Sequence, residues 1–137
     1  MDQLNLKIIT PDRIFFDGQV DKAVFKSTEG ELAILYDHIP ITALIDSSSF
    51  TIIQGDEEKV IAVHGGYFES RDDRLTVLTD SAEWPYELDV DRAKAAVKRA
   101  EERLAQDLKD DIDLIRAEVS LKRALTRIEV AEFDKGR

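Results

Sequence analysis

The sequence predicts an α+β fold: an N-terminal β-sandwich over residues 1–86, followed by a C-terminal antiparallel two-helix hairpin over residues 87–137. Three observations carry this expectation. Short apolar runs bounded by turn residues recur at roughly ten-residue spacing through the first half. Beyond Trp84-Pro85 the apolar residues recur at intervals of three and four instead. A polar, acidic stretch over residues 107–113 then divides this second pattern into two seams.

Taken in order, Leu4, Leu6 and Ile8 alternate with polar residues until Thr10-Pro11-Asp12 breaks the run. Asp17-Gly18 reads as a second turn, ahead of Val20, Ala23, Val24 and Phe25. Further apolar runs lie at residues 32–35, 41–45, 50–53, 60–63 and 75–78. Between them come the turn-rich segments 37–40, 46–49, 55–58, Gly65-Gly66 and 71–74. No helix-length periodic stretch interrupts the series, so a sandwich or a barrel is expected. Gly65-Gly66 reads as a tight bend or bulge. It is no phosphate cradle, because no helix begins after it.

In the second half, Val90, Ala93, Val97, Ala100 and Leu104 form one amphipathic seam, with Asp89 as its N-cap and Asp91 in its first turn. Leu114, Ala117, Leu121, Ala124, Ile128 and Ala131 form the next. Alanine alternating with larger residues lets two helices approach closely, and the short connection makes them antiparallel. About 50 residues of alanine-rich seam bury little apolar area by themselves. The hairpin is therefore expected to depend on docking, and to lie near balance between docked and undocked forms.

Composition narrows the function classes. The 137 residues include no cysteine, which excludes a disulfide framework, a thiolate nucleophile and a cysteine zinc site. No apolar run reaches the roughly 18 residues of a membrane span. The opening Met-Asp-Gln-Leu-Asn lacks the basic and apolar regions of a signal peptide, and a cytoplasmic location is expected. The net charge of −10 argues against nucleic acid or anionic lipid as partner. Residues 1–86 hold 16 acids and 7 bases, whereas residues 87–137 hold 13 acids and 12 bases and concentrate the arginines. His38 and His64 have no carboxylate at metal-ligand spacing, and no serine–histidine–acid set is clustered. Neither a metal site nor an independent catalytic centre is expected.

Two segments carry a family resemblance. Glu29-Gly30-Glu31-Leu32-Ala33-Ile34-Leu35-Tyr36-Asp37-His38-Ile39-Pro40 and His64-Gly65-Gly66-Tyr67-Phe68-Glu69 resemble the most recognisable stretches of the epsilon subunits of bacterial F-type ATP synthases. The order of β half and helical hairpin matches as well. The resemblance implies a non-catalytic central-stalk subunit, peripheral at the cytoplasmic face of the bacterial plasma membrane. Its sandwich would contact the gamma subunit and the c-ring, with Glu31 and His38 at positions the family uses near those contacts. Its hairpin would either fold against the sandwich or extend toward the alpha/beta catalytic head and restrain ATP hydrolysis.

A sharper resemblance lies at Leu88-Asp89-Val90-Asp91-Arg92-Ala93, which is similar to the Ile/Leu-Asp-x-x-Arg-Ala motif of the ATP-binding, thermophilic-bacillus-like subgroup. It implies an ATP site completed by Glu83 upstream, by Arg99 on the first helix, and by Arg123 and Arg127 on the second. Residues 122–127, Lys-Arg-Ala-Leu-Thr-Arg, look like the subgroup's matching segment. The chemistry is coherent. Arginine forks suit phosphate oxygens, Asp89 and Glu83 accept from adenine or ribose, and Leu88 and Ala93 offer apolar packing to the base. The positive end of the first helix would assist, while Asp91 opposes it. ATP would act as a regulatory ligand and not a cofactor, bound without turnover, its magnesium requirement left open. Following the family's inhibitory mode, Arg116, Lys122, Arg123 and Arg127 would pair with acidic residues of the catalytic beta subunits when the hairpin extends. The alternative is a purely structural rotor connector that binds no nucleotide.

Overall fold

The computed structural model describes residues 2–106 and 110–135. The strands are β1 (Leu4–Ile9), β2 (Ile14–Val20), β3 (Lys22–Ser27), β4 (Gly30–Leu35), β5 (Ile41–Ile45), β6 (Ser48–Gln54), β7 (Glu57–Val63), β8 (Gly66–Arg71), β9 (Arg74–Thr79) and the two-residue β10 (Ala82–Glu83). A 3₁₀ turn at Pro85–Glu87 leads to the helices α1 (Val90–Ala105) and α2 (Asp111–Lys135). The strands run β10-β7-β6-β3-β5-β8-β9-β1-β2 along one hydrogen-bonded path, and β4 pairs with β3 beside it. Only the β1–β9 pair among these is parallel. The result is a β-sandwich followed by a helical pair.

Period-two alternation accounts for most of the strands. In β1 the buried Leu4, Leu6 and Ile8 alternate with half-buried residues, as expected. These meet Phe25, Phe50 and Phe68 in the core. The rings of Phe25 and Phe50 stack with centroids 4.8 Å apart, and Phe68 approaches Phe25 edge-on at 4.7 Å. The β8–β9 hairpin turns through Asp72 and Asp73, both at positive φ. This matches the primed turn geometry that suits strand twist.

One strand breaks the alternation, and the reason bears on function. In β7 all four residues from Val60 to Val63 are buried. Ile61 and Val63 face the sandwich core, whereas Val60 and Ala62 form a second small cluster with Val130 of α2, against which Leu88 packs. A continuous apolar run is what a strand covered on both faces requires. Here the second cover is α2, which packs on β6 and β7.

Two expectations are corrected. Asp17-Gly18 is no turn: both residues lie inside β2, paired with Lys7 and Leu6 of β1. The chain reverses earlier, where Thr10 N–H bonds to the Arg13 carbonyl at 2.9 Å, and Asp21, whose N–H bonds to the Ile53 carbonyl at 2.8 Å, separates β2 from β3. The second helix also begins ahead of the expected loop end at residue 113. Asp110 caps it, accepting from Ile112 N–H at 2.9 Å through its carboxylate and from Leu114 N–H at 3.2 Å through its carbonyl. Residues 107–109 of the expected loop lie outside the described residues.

The alanines of both helical seams are buried as expected, whereas Leu114, at the head of the expected second seam, is exposed. Ala93 and Ala100 on α1, and Ala117, Ala124 and Ala131 on α2, are buried. Small side chains along the seam let the two helices lie close along their length.

Candidate functional site

A cavity of about 560 Å³ opens between the two helices, at the end where β10 and the 3₁₀ turn lead into α1. Glu83 and Glu87 reach it from that linking segment. From α1 come Asp89, Arg92, Arg99 and Arg103, and from α2 Arg123 and Arg127. Ala93, Ala96, Ala100, Ala117 and Ser120 complete the lining, and their small side chains leave the space open. The spacing explains the convergence. Positions 92, 96, 99 and 103 recur every three or four residues, and 93 and 100 lie seven apart, or two turns, so all fall on one face of α1. Positions 117, 120, 123 and 127 do the same on α2.

Local devices fix the entrance. Asp89 is the N-cap of α1, its carboxylate accepting from Arg92 N–H at 3.0 Å, as expected. Glu87 closes the 3₁₀ turn by accepting from Trp84 N–H at 2.9 Å, and Arg13 donates to the same carboxylate at 2.9 Å. The backbone hydrogen bond, aided by Arg13, holds the Glu87 carboxyl below the usual carboxylate range. Trp84 stacks on Phe15, with centroids 4.6 Å apart. The linker is thus pinned to the sandwich directly before the helix starts.

Three basic residues of α2 each reach an acid of the sandwich side. Lys122 bonds to Asp46. Arg123 lies 3.9 Å from Asp80. Arg127 Nε donates to Glu83 Oε1 at 2.7 Å. The same Glu83 oxygen lies 2.6 Å from His64 Nε2. Burial pushes the Glu83 carboxyl up, but the hydrogen bonds from His64 and Arg127 outweigh it and hold the group below its ordinary value. Glu83 is therefore a carboxylate at neutral pH. Among the described residues, Arg92, Arg99 and Arg103 have no ion-pair partner. Five arginines against three carboxylates leave the cavity with a cationic surplus at the α1 face.

The structure brings together Glu83, Asp89, Arg92, Ala93, Arg99, Arg123 and Arg127 around this one space. Leu88 is placed elsewhere: it packs against the Val60, Ala62 and Val130 cluster. Asp91 is exposed and does not line the cavity, nor does the exposed Arg116. Glu31 on β4 is exposed and His38 in the β4–β5 connection is half-buried, and neither lines the cavity. Arg103, Glu87 and Ser120 were not expected in the site. Arg103 follows Arg99 by one helical turn, which is the signal that points to it. No group of three or more metal-ligating side chains occurs among the described residues, and none of the described helices is long and apolar enough to cross a membrane.

Residues 3–85 match the family model of the ATP synthase delta/epsilon chain β-sandwich domain, and residues 87–132 match that of the delta/epsilon chain long α-helix domain. The chain belongs to the ATP synthase delta/epsilon chain family. It is 42% identical over 131 residues to the ATP synthase epsilon chain of Halalkalibacterium halodurans, covering 96% of this chain and 98% of that one. It is also 42% identical over 128 residues to the epsilon chain of Caldanaerobacter subterraneus, covering 93% and 92% of the two chains. In fold it is similar to a chain in the mitochondrial ATP synthase of Euglena gracilis, with a TM-score of 0.83 at 18% identity, covering 98% of this chain and 82% of that one.

Proposed function

We propose that this chain is a non-catalytic central-stalk subunit of a proton-translocating ATP synthase whose hairpin senses ATP and, when released, inhibits ATP hydrolysis. The observation that carries the sensing role is the convergence of five arginines from two helices on one cavity, with Glu83 and Asp89 at its linker end. Its volume of about 560 Å³ lies in the range of small-ligand sites. Arg92, Arg99 and Arg103, unpaired among the described residues, supply donors for a polyphosphate, and the alanines leave room for a planar base. ATP bound there ties α1 to α2 and favours the folded hairpin. A ligand shifts such an equilibrium only by its differential affinity, and arginines split between two helices provide that difference.

Emptied of ATP, the clustered cations repel and favour opening. Opening frees Lys122, Arg123 and Arg127 from Asp46, Asp80 and Glu83, so they can meet carboxylates on the alpha/beta head, with Arg116 already exposed beside them. The sandwich serves the rotor, meeting the gamma subunit and the c-ring through a surface that includes Glu31 and His38. That role places the chain peripherally at the cytoplasmic face of the plasma membrane. The Euglena gracilis assembly that holds the chain of similar fold includes F1 and a c-ring, which supports the same assignment.

Trp84 is the only tryptophan, adjoins Glu83 and reports on the site directly. Titration of the full chain with ATP, with and without magnesium, is expected to change its fluorescence saturably. The pair Arg92→Ala with Arg127→Ala is expected to abolish the change. A flat titration, matched by an absence of heat in calorimetry, leaves a purely structural rotor connector.

A further inference from the structure

We propose that His64 is a positioning residue whose proton decides whether Glu83 holds Arg127 or yields it to an anion in the cavity; this rests on the nucleotide reading above and adds its regulation by pH. His64 follows the last residue of β7, and its side chain has no solvent exposure. It does not line the cavity but stands behind Glu83, which does. Its Nε2 lies 2.6 Å from Glu83 Oε1, the atom to which Arg127 Nε donates at 2.7 Å. One carboxylate oxygen is thus shared between an imidazole and a guanidinium. On the other side of the ring, Nδ1 lies 3.1 Å from Ser47 Oγ, and that hydroxyl lies 3.3 Å from Thr126 Oγ1. Thr126 and Arg127 are consecutive in α2, so both ring nitrogens lead to the same turn of the helix.

The hydrogens can be followed through both charge states. In the neutral ring Nε2–H donates to Glu83, while Nδ1 accepts the Ser47 hydroxyl. Ser47 Oγ is then open to accept from Thr126. Glu83 has one cation, Arg127, and keeps it. A second proton at Nδ1 turns the ring into an imidazolium that donates to Ser47 Oγ, and Ser47 passes its own hydrogen to Thr126 Oγ1. The bridge survives with its hydrogens reversed. The charge balance does not: Glu83 now faces two cations, and Arg127 becomes the better partner for a phosphate. Other charges around this junction do not replace Glu83, because Asp46 is matched by Lys122 and Asp80 faces Arg123. By linkage, an anion that draws Arg127 away leaves Glu83 to the ring and favours its protonation. Histidine is the side chain whose charge changes in the physiological range, which a glutamine at this place would not do.

The test is calorimetry of ATP binding to the full chain from about pH 6 to about pH 8, in buffers of differing ionisation enthalpy. His64→Gln is the comparison, since it keeps a donor toward Glu83 but takes no proton. The terminal phosphate of ATP titrates in the same interval, and the variant supplies that background. The wild type is expected to take up an additional fraction of a proton on binding. It should also lose about fivefold more affinity across the interval than the variant. A readout needing no change at His64 is its imidazole NMR signal, told apart from that of His38 by His38→Gln, because the chain holds two histidines. Added ATP at constant pH is expected to move it toward the protonated position. Equal proton uptake and equal pH profiles in the two proteins, or an unmoved His64 signal, overturn this proposal and leave the nucleotide reading standing. Absence of heat and of a Trp84 response at every pH overturns both.

Discussion

Val130→Ala tests how the hairpin is held to the sandwich. Val130 is fully buried in a cluster that, among the described residues, holds Val60, Ala62 and itself, with Leu88 packed beside it. This contact is separate from the sandwich core, so its loss acts on docking and not on the strands. Two carbons removed at about 0.8 kcal/mol each give about 1.6 kcal/mol of lost transfer energy. The small neighbours close the void only in part, which brings the cost to about 2 kcal/mol. That corresponds to about a thirtyfold rise in the undocked fraction. The assay is native-state amide exchange read by mass spectrometry. Amides of α1 and α2 are expected to exchange faster by about that factor, while β1, β8 and β9 keep their protection. Unchanged exchange in α2, or equal acceleration in helices and strands, refutes the idea of a separately docked hairpin.

Other perturbations address single features. Asp89→Ala removes the cap on Arg92 N–H and is expected to cost about 1 kcal/mol, seen as faster exchange in the first turn of α1. Gly66→Ala puts a carbon 2.0 Å from the Leu78 carbonyl oxygen and 2.7 Å from Thr79 Cα, at φ +126°. Both neighbours are backbone, so a loss of at least about 4 kcal/mol and failure to accumulate as folded protein are expected in soluble expression and circular dichroism. Acid acts through Glu83, whose folded-state carboxyl lies below its unfolded value. Its contribution is complete above the unfolded value and is lost as pH falls through the folded one. Docking of α2 should therefore weaken as pH falls through and below the ordinary carboxylate range, and less steeply in Arg127→Ala, as followed by exchange of the α2 amides.

Much of this architecture is legible in residue order because it depends on local rules. Alternation shows β1, the alanine seams show both helices, and Asp89 shows the start of α1. The failures have equally local causes. Asp17-Gly18 carries turn chemistry but sits opposite Leu6 and Lys7, where the tertiary pairing with β1 overrides it. The second helix begins early because Asp110, in a stretch that reads as loop, supplies a cap. Most arginines of the cavity follow from helical spacing joined to a motif, and Arg103 was available by the same spacing. The junction of Ser47, His64, Glu83 and Thr126 was not. These residues lie up to 79 positions apart and meet only through strand pairing and helix docking. Their side chains have no periodicity that would announce them. The all-apolar run of residues 60–63 is the exception, a visible sign that β7 is covered on both faces.

Amide exchange across α1 and α2, with and without saturating ATP, tests most directly whether a bound nucleotide fastens the two helices. At a ligand concentration one hundred times the dissociation constant, opening of the hairpin should become about a hundredfold rarer, with the largest slowing near Arg92, Arg99 and Arg127 and none in β1 or β9. Identical exchange in the helices with and without ATP would contradict the account.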